Sequence, residues 1–248
     1  MATNFAEIHG IDLAARQSQR NFEHRFFLAF AAFFPLMTIV GFVPNFIFDT
    51  PVKPPPASGM LIAHAITMSL WIVLFGVQSY LVSAKKIKLH ITLGMFGVAL
   101  AAAMIVIGTL TGYYAAKRGG AFPGFTNLEF FIVPIGDMIT FAILFAAAIY
   151  YRKNAANHKR LMLVTMINFL PPSTARLPLP FIPDLGAIWL CGVPTVVGLV
   201  LLAGDTYRTG KLNRAFAAGI ALMIVSGPLR IAICRTETWS QFAAWILS

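Results

Sequence analysis

Six side chains that ionise or hydrogen-bond strongly lie within, or at the mouth of, long apolar stretches of this chain: His64, Glu129, Asp137, Asn168, Arg176 and Arg230. Charged groups in such surroundings are costly and face a bundle interior or a water-filled cavity. Asp137 and His64 could carry protons. Arg176 and Arg230 could hold an anion or a quinone oxygen. One reading is therefore a polar cavity that binds a small ligand. The competing reading is structural: ion pairs of Asp137 with Arg176 and of Glu129 with Arg230 that fix helix register, or arginines that reach outward to the interface. The pair expected to matter most is Asp137 with Arg176, beside Pro171-Pro172. An unpaired carboxylate near a bilayer midplane neutralises, whereas a neighbouring guanidinium keeps it ionised.

Spacing supports convergence of these groups. His64, Thr67, Trp71 and Gln78 follow one another at i, i+3, i+7 and i+14, and Glu129, Asp137 and Thr140 at i, i+8 and i+11. Each set makes one stripe on a helix. At 1.5 Å per residue, Asp137 lies roughly 13 Å from one end of its apolar run and Asn168 roughly 12 Å from the opposite end of its own. His64, Arg176 and Arg230 fall within roughly 10 Å of the outer boundary, so the expected cavity lies in the outer half. The prolines at 171 and 172 supply no N–H, so the carbonyls of Ile167 and Asn168 lose their helical donors.

A second chemistry-bearing layer is formed by His24, His90 and His158, each at the start or end of an apolar run beside lysine or arginine. Such a layer could bind a metal, or two histidines could ligate a haem iron axially. Neighbouring cations oppose a metal, and no helix carries paired histidines at ligand spacing. Cys191 and Cys234 lie far apart in apolar surroundings and read as packing residues. No catalytic residue is assigned by the sequence.

The elements that must position these groups follow from composition. The 248 residues are 58% hydrophobic and only 11% charged, far from the roughly 25% charge of a soluble domain. Seven apolar runs can be marked: Arg25–Phe48, Ser58–Val82, His90–Tyr114, Leu128–Tyr151, Lys159–Leu177, Leu185–Gly204 and Ala215–Ile233. Each approaches the ~20 residues that span a bilayer. The expected fold is all-α: a polytopic membrane bundle of about seven helices. Residues 1–24 form a cytoplasmic N-terminal segment, 25–233 the helical domain and 234–248 an outer-face tail. Thr236 is a candidate N-cap for that tail, and Trp239, Phe242, Ala243 and Ile246 make one apolar face. Residues 1–21 are polar, with no signal-peptide core, so the first run is expected to remain as an anchor. Thr50–Pro56 is expected to be extended polyproline-like chain.

The net charge is +10. Thirteen of the 19 lysines and arginines fall in alternate connections, around residues 16–25, 85–88, 152–160 and 208–214. That bias places these connections and the N-terminus inside. No basic patch is interleaved with aromatics, so nucleic acid is not an expected partner. The expected partner is the lipid bilayer, and membership of a larger membrane complex stays open.

Two motifs carry a resemblance. Lys88-Leu89-His90-Ile91-Thr92-Leu93-Gly94 and His158-Lys159-Arg160-Leu161-Met162 each follow a basic connection and open a helix, with His64 in the preceding helix. From about Gly59 onward the chain resembles a group of bacterial membrane proteins with Leu-His-x-x-Leu-Gly and His-Lys-Arg-Leu-Met motifs. The resemblance implies a multi-pass protein of the bacterial inner membrane and no particular activity. More distantly, the motifs are similar to those of transmembrane b-type cytochromes, which implies haem b held between His90 and His158. His64 has no histidine partner for a second haem. Three functions follow as expectations: an accessory membrane protein binding a small ligand or quinone, a b-type haem electron carrier or membrane oxidoreductase, and a secondary transporter built on the proline-broken fifth run.

Overall fold

The computed structural model describes residues 2–47, 58–122 and 124–248. Twelve α-helices follow one another among them. They are α1 (Ala2–Phe42), α2 (Pro44–Ile47), α3 (Gly59–Ser83), α4 (Ile87–Lys117), α5 (Asn127–Phe130), α6 (Ile132–Tyr150), α7 (Ala155–Ile167), α8 (Leu170–Thr174), α9 (Ile182–Leu185), α10 (Ala187–Thr209), α11 (Arg214–Cys234) and α12 (Glu237–Leu247). The described residues contain no strand. The expected boundary at residues 24 and 25 falls inside α1, which runs on as one helix. The expected polyproline segment lies outside the described residues.

Local chemistry explains where the helices start and stop. Ser58, Asn154, Asn213 and Thr236 each accept a hydrogen bond from a backbone N–H in the first turn of the helix that follows. These side chains satisfy donors that have no partner inside the helix. Gly210 ends α10 at φ +65°, a left-handed conformation that costs glycine nothing.

Six segments among the described residues are long and apolar enough to cross a membrane: Asn21–Phe42, Gly59–Ser83, Ile87–Lys117, Asn127–Lys153, Ala187–Thr209 and Arg214–Cys234. Their outer faces carry exposed Ile62, Ile66, Val73, Met95, Val106, Ile188, Val200 and Val225. Large apolar side chains all round a helical bundle mark a surface solvated by lipid. The protein is a multi-pass, helical membrane protein.

The fifth expected run is not one long helix. α7 ends at Ile167, and α8 resumes at Leu170 with prolines in its first turn. Proline lacks the N–H and clashes with the preceding turn, so the helix breaks before the pair. This broken segment is nevertheless the core of the molecule. Leu161, Leu163, Val164, Thr165, Met166, Ile167, Asn168, Leu170, Ser173 and Thr174 are all buried. α1, α6, α10 and α11 pack around it, and Phe141, Leu144, Phe216 and Ile220 close the shell.

Contacts at its two ends show how far the segment reaches. Lys159 at the start of α7 pairs with Glu23 at 2.5 Å, and Arg160 pairs with Asp205 near the end of α10. At the other end, Ser173 lies against Gly41, where a β-carbon would overlap the Ser173 carbonyl. Trp189 Nε1, two residues into α10, donates to the Thr174 carbonyl at 3.1 Å. Glu23 and Gly41 are 18 residues apart on one continuous helix, so α7 and α8 together run roughly 27 Å along the bundle.

Most of the expected basic connections share one end. Besides Lys159 and Arg160, that end holds Arg208 over the Phe22 ring and Asn213 bonded to Asn157. The His90 and His158 rings approach there with centroids 6.4 Å apart. At the opposite end, α12 docks on the start of the fourth run. Trp239 Nε1 donates to the Leu128 carbonyl at 2.8 Å, and Ala243 is fully buried beside Ala116 and Phe131. The expected apolar face of the tail is thus only partly free. Trp239, Ala243 and Ile246 pack on the protein, while Phe242 and Trp245 point away from it.

Candidate functional site

Asp137 sits in the second turn of α6 and Arg230 four residues before the end of α11. Arg230 Nη1 donates to Asp137 Oδ1 at 2.5 Å and to the Val133 carbonyl at 3.0 Å. Its Nε donates to the Ser226 carbonyl and its Nη2 to Ser226 Oγ, at 3.0 and 3.2 Å. A guanidinium offers five N–H donors, so one at Nη2 is left over. Gly136 makes the approach possible, because a β-carbon there would overlap the Arg230 side chain. Asn168, at the break between α7 and α8, donates through Nδ2 to the Asp137 carbonyl at 3.1 Å. The proline pair therefore positions Asn168: the chain turns there, and the amide meets α6 instead of continuing a helix.

These groups line one side of a cavity between α6, the break, α10 and α11. Its other walls are Pro171, Cys191, Pro194 and Met223, and Phe125 stands toward the end of the bundle where α12 docks. It offers about 40 Å³ to water-sized atoms, room for roughly three waters. Such a space is polar on one side and apolar on the other. It can seat a carbonyl or an anionic oxygen against the guanidinium while excluding bulk water.

The expected pairing of Asp137 with Arg176 is corrected here: Arg230 is the partner of Asp137. The arginine at 176 lies on the far side of the broken segment, where Nη1 donates to the Pro172 carbonyl at 2.7 Å and the guanidinium covers the Phe42 ring at 4.6 Å. The reason is the direction in which the chain leaves the kink, since Gly41 and Ser173 draw α8 onto α1 and away from α6. The expected pairing of Glu129 with Arg230 is corrected too. Glu129 Oε2 accepts from the Thr126 N–H at 2.7 Å, and Thr126 Oγ1 accepts from the Glu129 N–H at 3.2 Å. This reciprocal capping box holds the entry to the fourth run. Among the described residues no hydrogen bond or ion pair joins His64 to Asp137, and its buried Nδ1 has no hydrogen-bond partner. Of the six candidate residues the structure brings Asp137, Asn168 and Arg230 together, and Glu129 and Arg176 bond elsewhere.

No protein-family model, no curated protein and no solved structure matches this chain. Function therefore rests on site geometry alone.

At the basic end, His158 Nδ1 donates to the Ala148 carbonyl at 2.8 Å, which leaves Nε2 free to act as a ligand. His90 Nδ1 is buried without a hydrogen-bond partner among the described residues, and Gln78 Nε2 donates to the His90 carbonyl at 3.2 Å. The two rings stand T-shaped to one another, with an interplanar angle of 83°. No cluster of three or more metal-ligating side chains occurs among the described residues.

Sequence reasoning missed Cys191 as part of the cavity wall, and Ser226 and Gly136 as the residues that hold and admit the Arg230 side chain. The i, i+4 spacing of Ser226 and Arg230 was an available signal for Ser226. It also missed an ionic cluster around the buried Arg160. Arg160 Nε and Nη2 grip both Asp205 oxygens at 2.8 and 2.6 Å, and Glu23 joins from α1 at 3.9 Å. A lone aspartate near the basic end of an apolar run, facing an arginine-rich helix start, was its only sequence sign.

Proposed function

We propose that this chain is an accessory membrane protein that binds a small carbonyl-bearing or anionic ligand, of the quinone head-group class, in the cavity beside Arg230. The observation that carries the reading is the placement of a guanidinium with one N–H to spare against a small, otherwise apolar cavity at a helix break. A quinone oxygen would accept from Nη2, with Asp137 holding the guanidinium in place. Pro171, Pro194 and Met223 would take the ring face. The cavity must widen to admit a full ring, and the break between α7 and α8 is the element able to yield.

In this reading α7 and α8 together make a seventh crossing of a bacterial inner membrane. The N-terminus and the basic end face the cytoplasm, in keeping with the lysine and arginine bias, and the cavity lies in the outer half. The test is saturable binding of a short-chain quinone to the purified protein, followed by tryptophan fluorescence. Arg230→Gln should weaken it roughly tenfold, the worth of one hydrogen bond to a charged group. An absence of saturable binding, or equal binding by the variant, rejects the reading.

The 6.4 Å approach of the His90 and His158 rings favours a second reading, a b-type haem protein. Haem would supply one-electron transfer when bound. His90 and His158 would hold it, and the Ala148 carbonyl would fix the His158 tautomer. A colourless, folded protein from haem-replete cells would exclude this reading. A third reading, transport, draws on the break lying at the cavity wall, and uptake into proteoliposomes would test it.

A further inference from the structure

Asp137, Asn168 and Arg230 stand in one wall of the cavity between α6, the break, α10 and α11, and two of them keep an oxygen unused. Asp137 meets the Arg230 guanidinium through Oδ1, and its backbone carbonyl accepts from Asn168 Nδ2. Its Oδ2 accepts no hydrogen bond among the described residues. Asn168 is only 3% exposed. Its amide is pinned through Nδ2, and its Oδ1 likewise accepts nothing among the described residues. The polar atoms that protein encloses without a partner belong to His64, Trp71, Gln78, His90 and Thr206. Asp137 Oδ2 and Asn168 Oδ1 are not among them, so both oxygens keep open surface. The open space that both residues line is the cavity. Buried polar groups are paired as a rule, and a pinned, buried amide with its oxygen turned to a void is set to receive a donor.

The wall thus presents one N–H, the spare donor on Arg230 Nη2, and two oxygens. The cavity offers only about 40 Å³, so all three are within reach of one small group. A carbonyl oxygen can only accept. Seated on Nη2, it would satisfy the guanidinium but leave both oxygens dried and unpaired, at the cost of their hydration. An anion fits worse, because the Arg230 charge is already balanced by Asp137 and a second buried negative charge would go unpaired. A hydroxyl matches the wall: its oxygen accepts from Nη2 and its hydrogen donates. Asp137 Oδ2 is the stronger acceptor because it is charged. Asn168 Oδ1 takes a second O–H, from the ligand or from a water beside it.

We propose that the cavity takes its ligand as a neutral hydroxyl compound, the quinol and not the quinone form of the head group, and that Asp137 Oδ2 and Asn168 Oδ1 set this preference. The inference rests on the reading of the cavity as a quinone-class site and narrows it. Duroquinone, its quinol kept anaerobic with excess reductant, and benzoate are each titrated calorimetrically into the full-length protein in a non-ionic detergent. The quinol should bind at least roughly tenfold more tightly than the quinone, and benzoate should not saturate. Asp137→Asn offers an amide N–H₂ in place of Oδ2 and should abolish or reverse the preference. Asn168→Leu should narrow it by weakening the quinol and not the quinone. Equal or tighter binding of the quinone by the native chain overturns the inference and leaves the quinone-class reading standing. Saturable benzoate binding overturns it too. If both variants weaken quinol and quinone alike, the two side chains only hold the wall in shape, and the assignment falls. Saturable binding of none of the three probes rejects the quinone-class reading itself and this inference with it. The comparison within the native chain decides even if Asp137→Asn does not fold.

Discussion

The pairing of Asp137 with Arg230 is a statement about two atoms, and it can be tested at that scale. Removing one partner of a buried pair leaves a charge without compensation and typically costs about 3–5 kcal/mol, whereas removing both is far milder. Asp137→Asn and Arg230→Gln should each lower stability in detergent by that order, and the double variant should lose clearly less than their sum. Asp137→Asn combined with Arg176→Gln should be additive, because those side chains share no partner. Coupling in the second cycle and none in the first would reverse the assignment made here. Gly136 belongs to the same argument. Gly136→Ala would push a methyl into Arg230, and overpacking of this kind costs about 1–3 kcal/mol. Gly204→Ala, in α10 with nothing within 4 Å of the added carbon, should be neutral or stabilise by up to about 1 kcal/mol.

Among the elements, the broken segment and the tail helix behave in opposite ways. α7 and α8 are short and interrupted, and are held almost entirely by the helices around them. α12 is held by a cap and one docked face. Thr236 Oγ1 accepts from the Trp239 N–H at 3.2 Å, and loss of such a cap costs about 0.5–2 kcal/mol. Thr236→Ala should therefore loosen α12 with little effect on the bundle, seen as faster hydrogen exchange across residues 237–247 and an almost unchanged melting temperature. Gly41→Ala should do the converse. The added methyl would fall on the Ser173 backbone, which cannot rotate aside as a side chain can. We expect α8 to be displaced from α1, a drop in melting temperature, and loss of the Arg176 stacking on Phe42. Unchanged stability of that variant would show that the α1–α8 contact is looser than described.

For the whole molecule, the decisive measurement is sidedness. Reporter fusions in the α3–α4 turn (84–86) and in the α10–α11 connection (210–213) should read as cytoplasmic, and fusions between Arg118 and Thr126 as external. Opposite readings would invert the orientation and place the cavity in the inner half. Equal sidedness of 154 and 186 would show that α7 and α8 do not cross, leaving the six long helices as the only spans among the described residues.

Much of this architecture is already present in the order of residues. Helix formation and membrane residence follow from apolar runs of bilayer length, and those properties are one-dimensional. The caps at Ser58, Asn154, Asn213 and Thr236 are local, each within a few residues of the N–H it satisfies. The break in the fifth run is local as well, because two prolines remove two donors wherever the chain goes. What residue order does not contain is the rotation of each helix about its axis and the exit direction after the kink. Asp137 could meet either arginine by depth alone, and residue counting supplied only depth and the stripe each group shares on its own helix. The choice of Arg230 depended on Gly136 admitting the side chain, and on Gly41 and Ser173 drawing Arg176 to the opposite face. Those are contacts between residues tens of positions apart. They are decided by close packing of backbones, which no spacing along the chain records.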